Sequence, residues 1–285
     1  MARATSLQPV GIERPVLELS GELLKKSLQT MLVGSEDHGG IEAYVAAVKL
    51  KSTMFQQALA DDAIDGFDLE TFKGLCTFMA TVRRRVGPWL NEESFAELKI
   101  AIRALLVDDG NIDARIGTFC DRMPQDKKHR WVRDLATELL HNLDPERVPL
   151  MNRWIWDAKA NTGVIREIWF SDDIDHLTIP VGDSYGTYLM LREELSQFLS
   201  DNGFFRDVLQ YVDILSAQVY ANYICEQGGT YLRTDFSAPE DPMQHTRRLL
   251  GLDGVRPGNG KTRLKSIDGE AYVLDDTDLL TQANN

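Results

Sequence analysis

From Ser20 to about Gly254 apolar residues return every three or four positions, and this period commits the chain to packed helices. "IEAYVAAVKLKSTMFQQAL" sets Ile41, Tyr44, Val48, Phe55 and Leu59 on one stripe. "LETFKGLCTFMATVRRR" opens behind Asp68 as N-cap, aligns Phe72, Leu75, Cys76 and Met79, and is expected to run as far as Gly87-Pro88. Ser94 and Glu97 have capping-box spacing at the head of "NEESFAELKIAIRALL". "KHRWVRDLATELLHNL" carries Val132, Leu135, Leu139 and Leu143, and Asp144-Pro145-Glu146 reads as the start of a further helix. Two long helices follow, "YGTYLMLREELSQFLSDNG" closed by Asn202-Gly203 and "FRDVLQYVDILSAQVYANYICEQGG" closed by Gly228-Gly229. A short helix is expected near 242–250.

The fold class read from this period is mainly α, a multi-helix globular bundle. It weakens between 164 and 182, where "VIREIWF" and "HLTIPVG" suggest a short β-hairpin near 164–181, a helix being the other reading of "VIREIWF". Residues 1–19, with Pro9 and Pro15, read as an extended arm; Val16 and Leu17 are candidate anchors on a partner subunit. Residues 20–253 form the helical domain, with a variant in which two halves meet near 145–182. Residues 254–285 are a loop and an acidic tail.

Charge narrows the partners. Acidic residues outnumber basic ones 44 to 31, a net −13, so nucleic-acid binding would require a strong local basic patch and none is expected. The first twenty residues lack a secretory signal, and no later window has the length and apolarity to span a bilayer. Cys76, Cys120 and Cys225 are odd in number, far apart and set among apolar neighbours, which suits buried reduced thiols. These features point to a cytoplasmic protein with no membrane partner.

Partial motifs can each be weighed against what their chemistry needs. "GVRPGNGKT" (254–262) has Val255 where a phosphate-binding loop requires its first glycine. Glu138 and His141 form one E-x-x-H step, but a di-iron bundle needs a second such step and two more glutamates; Asp173 to His176 is the nearest match. No metal ligand is therefore assigned. "DDAIDGFDLE" and "DDGNIDARIGTF" lack the twelfth-position carboxylate of a calcium loop and read as suppliers of helix caps. No G-x-S-x-G elbow or local cysteine signature marks a nucleophile, so no catalytic residue and no cofactor is assigned.

"ATELLHNLDPERVPLMNRW" resembles a helix-and-turn phrase of helix-hairpin-helix DNA glycosylases. The likeness covers under a tenth of the chain and does not include that family's glycine-rich turn, following lysine and later aspartate. What it implies is an all-helical fold.

"LMNRWIWDAKANTGVIREIW" (150–169) holds three of the five tryptophans. Trp154 and Trp156, two apart, cannot share one face of a regular helix. Arg153 and Asp157 have the spacing to pair, with Asn161-Thr162-Gly163 ending a helix. The stretch reads first as a buried junction, and second as a pocket whose polar groups come from Arg153, Asp157, Arg166 and Glu167. Gln218, Asn222 and Glu226 form a polar i, i+4 stripe that reads as a solvated face.

Two functions follow. The first is a cytoplasmic accessory or assembly protein acting through protein–protein contacts or self-association, using its termini. Arg247, Arg248, Arg256, Lys261, Arg263 and Lys265 would then dock on an acidic surface. The second is an enzyme or small-molecule-binding protein with a pocket at 150–169, with Glu138/His141 as its metal variant.

Overall fold

Short polar side chains start four of the helices by accepting backbone N–H groups that the first turn leaves without partners. The computed structural model describes residues 15–60, 63–107, 110–231, 243–252, 264–265 and 271–272. Ser20 Oγ accepts from the Leu23 N–H at the head of α1 (Gly21–Ser35). After α2 (Ile41–Leu59) and the single turn α3 (Ala63–Gly66), Asp68 caps α4 (Leu69–Thr77) by accepting from the Thr71 N–H at 2.8 Å. The cap of α5 (Glu92–Leu106) is Asn91, which accepts from the Ser94 N–H at 3.0 Å, so Ser94 lies inside the helix and the Ser94/Glu97 box does not form. Asn111 does the same for α6 (Ile112–Cys120) through the Ala114 N–H. Both acid-rich stretches thus supply caps, as expected.

The remaining helices are α7 (Trp131–Leu143), α8 (Val164–Glu167), α9 (Tyr185–Asp201), α10 (Val208–Tyr231) and α11 (Gln244–Leu250). Asn202 and Gly203, the latter at φ 94°, close α9 as read from sequence. Three ends differ. α4 stops at Thr77 instead of reaching Gly87-Pro88: the Arg83 guanidinium donates to the Thr77 carbonyl, and the Phe78 carbonyl lies hard against Gly251 of the α11 C-cap. Tertiary contacts there replace the next helical turn. α10 runs through Gly228-Gly229 to Tyr231. Asp144-Pro145-Glu146 opens no helix and makes a single turn, with the Arg147 and Val148 N–H groups donating back to Asp144.

Buried side chains from Leu17 to Leu252 form one apolar cluster, with Trp156, Tyr44, Tyr188 and Phe55 among its largest members. α10 runs through it, packed against α1, α2, α8, α9 and α11, while α7 packs against α2, α5 and α6. The molecule is an all-α multi-helix bundle. The only strands among the described residues are the paired two-residue pieces β1 (Leu264–Lys265) and β2 (Ala271–Tyr272).

No hairpin forms at 164–181. The Val164 and Ile165 N–H groups donate to the Trp154 and Ile155 carbonyls, which starts a helical turn at α8. Gly163 permits this close approach: its φ is 122°, and a Cβ there would sit 2.6 Å from the Ile155 carbonyl oxygen. Residues 177–181 are irregular and bond to side chains instead of a strand, with the Val181 N–H donating to the Ile179 carbonyl across Pro180. Asn161 Nδ2 donates to the Leu177 carbonyl, the Ile179 N–H donates to Asn161 Oδ1, and Trp156 Nε1 donates to the Val181 carbonyl.

Of the arm expected at 1–19, residues 1–14 lie outside the described residues, and 15–19 turn inward. Leu19 bridges Trp169, the Ser20 N–H donates to the Ile168 carbonyl, and Leu17 is buried in this chain's own core while Val16 is exposed. Leu17 is therefore not a free anchor for a partner. No helix among the described residues is long and apolar enough to cross a membrane.

Candidate ligand-binding site

α7 organises the polar chemistry of the molecule, and its two ends are built differently. Along the C-terminal half, Glu138 is buried and fully engaged. Its Oε2 accepts from Lys51 Nζ at 2.9 Å and from Asn142 Nδ2 at 3.1 Å, and its Oε1 accepts from Asn152 Nδ2 at 2.9 Å. Lys51 also donates to the Leu250 carbonyl at 3.0 Å, which ties α2, α7 and α11 to one ion pair. Thr137 donates to Asn152 Oδ1 and Ser52 to Asn142 Oδ1, so the amides are satisfied in turn. A buried charge of this kind is tolerable only with such a complete set of partners.

His141, one turn on, faces two acceptors: Nδ1 lies 2.8 Å from the Val148 carbonyl and Nε2 lies 3.2 Å from Asp213 Oδ2. Both neighbours favour a proton on the nitrogen that faces them, which favours the imidazolium. Burial alone would depress its pKa, but the Asp213 carboxylate and the Val148 carbonyl outweigh burial and raise it. The E-x-x-H step is thus spent on two separate ion pairs. Among the described residues no group of three or more His, Cys, Asp or Glu side chains gathers as metal ligands do.

At the N-terminal end, burial pushes the Asp134 carboxyl up, against the pull of the Arg153 guanidinium and the Arg153 N–H. Oδ2 accepts from Arg153 Nη2 at 2.9 Å and Oδ1 from the Arg153 N–H at 3.1 Å. Asp157 pairs with Arg130. The expected Arg153–Asp157 pair does not form, because residues 150–163 are irregular and not helical. Asp157 and Thr162 bridge across a tight turn with Asn161 at φ 52°. Trp154, Trp156 and Trp169 are all buried, so the tryptophan stretch is a core junction. Its rings do not wall a pocket, but its polar residues border one.

That cleft has two compartments. The larger, about 1100 Å³, is lined by Gly117, Cys120, His129, Arg133, Lys159 and Gly182 among others. The smaller, about 380 Å³, lies between the turn after α4, the start of α7 and α11. Lys127, Arg130 and Arg153 line both. The smaller wall presents Arg84, Arg85, Lys127, Lys128, Arg130, Arg153 and Arg248, and no acidic residue is among its described lining. Three buried side-chain polar atoms lack a hydrogen-bond partner among the described residues: Thr81 Oγ1, Arg153 Nε and Trp154 Nε1. The first two belong to residues of this wall. In a chain of net charge −13, such a concentration of cations costs self-repulsion, which among the described residues Asp157 and Asp134 offset at Arg130 and Arg153.

Of the residues singled out by sequence, Arg153 and Asp157 border the cleft. Arg166 turns away, donating to the Leu177 carbonyl at 3.2 Å, and Glu167 is half-buried toward Glu226 and Asp175 with its carboxyl pushed up to about 7, mainly by burial. The α10 stripe is not a solvated face. Gln218 is buried and accepts from Thr246 of α11, Asn222 donates to Ser27 of α1, and only Glu226 is exposed, paired with Lys26. The exposed Asp173–His176 pair stands 4.0 Å apart. "GVRPGNGKT" and most of the basic stretch to Lys265 lie outside the described residues. Sequence reading missed Thr81, Arg84, Arg85, Lys127, Lys128 and Arg130. The available signal was two basic runs, "RRR" at 83–85 and "KKHR" at 127–130, each beside a proline or glycine turn in an acidic chain. No family model, no curated protein and no solved structure matches this chain.

Proposed function

We propose that this protein binds a small anionic molecule in the cleft at the N-terminal end of α7. One observation carries the reading: two neighbouring cavities that share Lys127, Arg130 and Arg153 in their lining, on a molecule that is otherwise strongly acidic. Concave sites with a few fixed polar groups are where small ligands bind. Arg130 and Arg153 are held in place by Asp157 and Asp134, so their guanidiniums are oriented before any ligand arrives. The proposal is for binding. Cys120 borders the cleft, but burial pushes its thiol up to about 11, and a thiolate nucleophile needs the opposite shift. The nearby His129 ring is engaged by Asp126 at 2.9 Å.

Gly117 on α6 and Gly182 line the larger compartment, and a Cβ at either position meets nothing within 4 Å. Gly117→Leu and Gly182→Leu therefore project bulk into the cleft without straining the fold. Native mass spectrometry of full-length protein from its own source should show a retained small molecule, and the double variant should lose it while keeping the same helical circular dichroism. Full occupancy in the double variant would reject the cleft as the binding site.

A second reading, an accessory protein acting through protein contacts, is favoured by Val16 and Phe170, 81% and 66% exposed on segments joined by the Phe170 N–H to Glu18 carbonyl bond. Under it, replacing both by serine should reduce self-association in sedimentation. An unchanged distribution would count against it.

A further inference from the structure

Resting on the cleft reading above, we propose that the smaller compartment is a diphosphate subsite, taking the pyrophosphate-type group of a phosphorylated small molecule whose body lies in the larger compartment. Charge makes the first argument. Arg130 and Arg153 each already hold a carboxylate, whereas Arg84, Arg85, Lys127 and Lys128 form no ion pair among the described residues. Four such cations around about 380 Å³ match an anion of three or so charges better than a monoanionic carboxylate, and the volume suits two phosphate groups better than a polymer.

Geometry makes the second. Arginines from three separate segments, Arg84 and Arg85 after α4, Arg130 at the head of α7 and Arg153 in the irregular stretch beyond it, line one space, and the guanidinium fork matches phosphate oxygens in pairs. Thr81 Oγ1 and Arg153 Nε are buried donors without acceptors among the described residues, and phosphate oxygens would be those acceptors. The start of α7 lines the same space, and no side chain caps it: Arg130 is its N-cap residue and makes no capping bond. The partial positive charge of a thirteen-residue helix therefore adds to the cationic wall. Acidic ligands of other kinds would leave either charge or donors unmatched.

The test is calorimetric titration of the full chain with inorganic pyrophosphate, with sulfate as a charge control and a single-stranded oligonucleotide as competitor. Pyrophosphate should bind at one site and raise the melting temperature, and sulfate should bind much more weakly. Arg84→Ala/Arg85→Ala, on an exposed turn, should weaken pyrophosphate by about tenfold or more, which corresponds to about 1.4 kcal/mol. Gly117→Leu/Gly182→Leu should leave pyrophosphate binding intact, because it fills the other compartment. Absent binding, equal binding of sulfate, or an unchanged affinity in Arg84→Ala/Arg85→Ala would overturn the proposal. So would an oligonucleotide that binds more tightly than pyrophosphate and displaces it, which would make the patch a nucleic-acid surface. The two readings separate cleanly. A retained native ligand lost in the glycine variants, with no pyrophosphate binding, leaves the cleft and removes the subsite. Pyrophosphate binding without any retained ligand leaves the subsite and removes the larger compartment.

Discussion

The two ends of α7 both gather charged side chains and treat them in opposite ways. At the C-terminal end Glu138 and His141 are buried, and each polar atom meets a partner supplied by α2, α10 or the segment after α7. At the N-terminal end Arg84, Arg85, Lys127 and Lys128 crowd together with no carboxylate partner among the described residues, where two buried donors also stay unmatched. The difference separates two uses of charge. A completed network fixes how helices sit against one another, and removing any member leaves a buried charge behind. An incomplete one leaves cations and donors that a further acceptor could match.

The largest test of this contrast is Glu138→Ala, which strands Lys51 and two asparagine amides in the core. It should cost about 3–5 kcal/mol, a large part of the stability of a typical domain, read by urea denaturation. Lys51→Met/Glu138→Leu should cost less than Glu138→Ala alone, since no charge is left uncompensated. A double variant worse than the single would mean that the network does more than satisfy itself.

The next effect is a pH dependence. The folded pKa of His141 is raised above its ordinary 6.5, so the stability from its protonated pairing is fully present below about 6.5 and is lost as pH rises through the higher folded value. Asp213→Asn should lower stability at pH 6 by about 2 kcal/mol and narrow the gap to wild type as the pH rises past the folded value. A gap independent of pH would mean that His141 is neutral in the native protein.

A smaller effect, of opposite sign, is expected at the other end. Gly117→Leu should stabilise the protein by about 0.5–1 kcal/mol through α6 helix propensity, because nothing obstructs its side chain. A loss of melting temperature would show that the cleft wall is closed there. The smallest effect is that of Arg84→Ala/Arg85→Ala, which should change unfolding free energy by less than about 0.5 kcal/mol, since neither residue has an ion-pair partner among the described residues. A marked destabilisation would move these arginines from the ligand side of the comparison to the structural side.

Much of the fold was readable because helices are local. The stripe from Ile41 to Leu59 became α2 with the same bounds, and Asp68 caps the helix that its position announced. Reading failed where distant contacts override local preference. "VIREIWF" had strand composition, but Gly163 brings its backbone onto Trp154 and Ile155 and turns it into a helix. α4 had a period running past Met79, yet Arg83 and Gly251 occupy the carbonyls that another turn would have used. Gln218 looked solvated on its own helix and is buried because α11 lies over it.

The candidate site divides along the same line. Spacing of apolar residues and short polar caps is a property of neighbours in the chain, and by itself it determined the all-α class, the principal helices and the burial of the tryptophans. The partners of Arg153, Asp157, Glu138 and His141 belong to segments tens of residues away, as does the meeting of "RRR" and "KKHR" across one cavity. No local period encodes such meetings. They exist only once the helices have closed on their common core, because Coulomb attraction and hydrogen bonding act over a few ångströms of space, whatever the separation along the sequence.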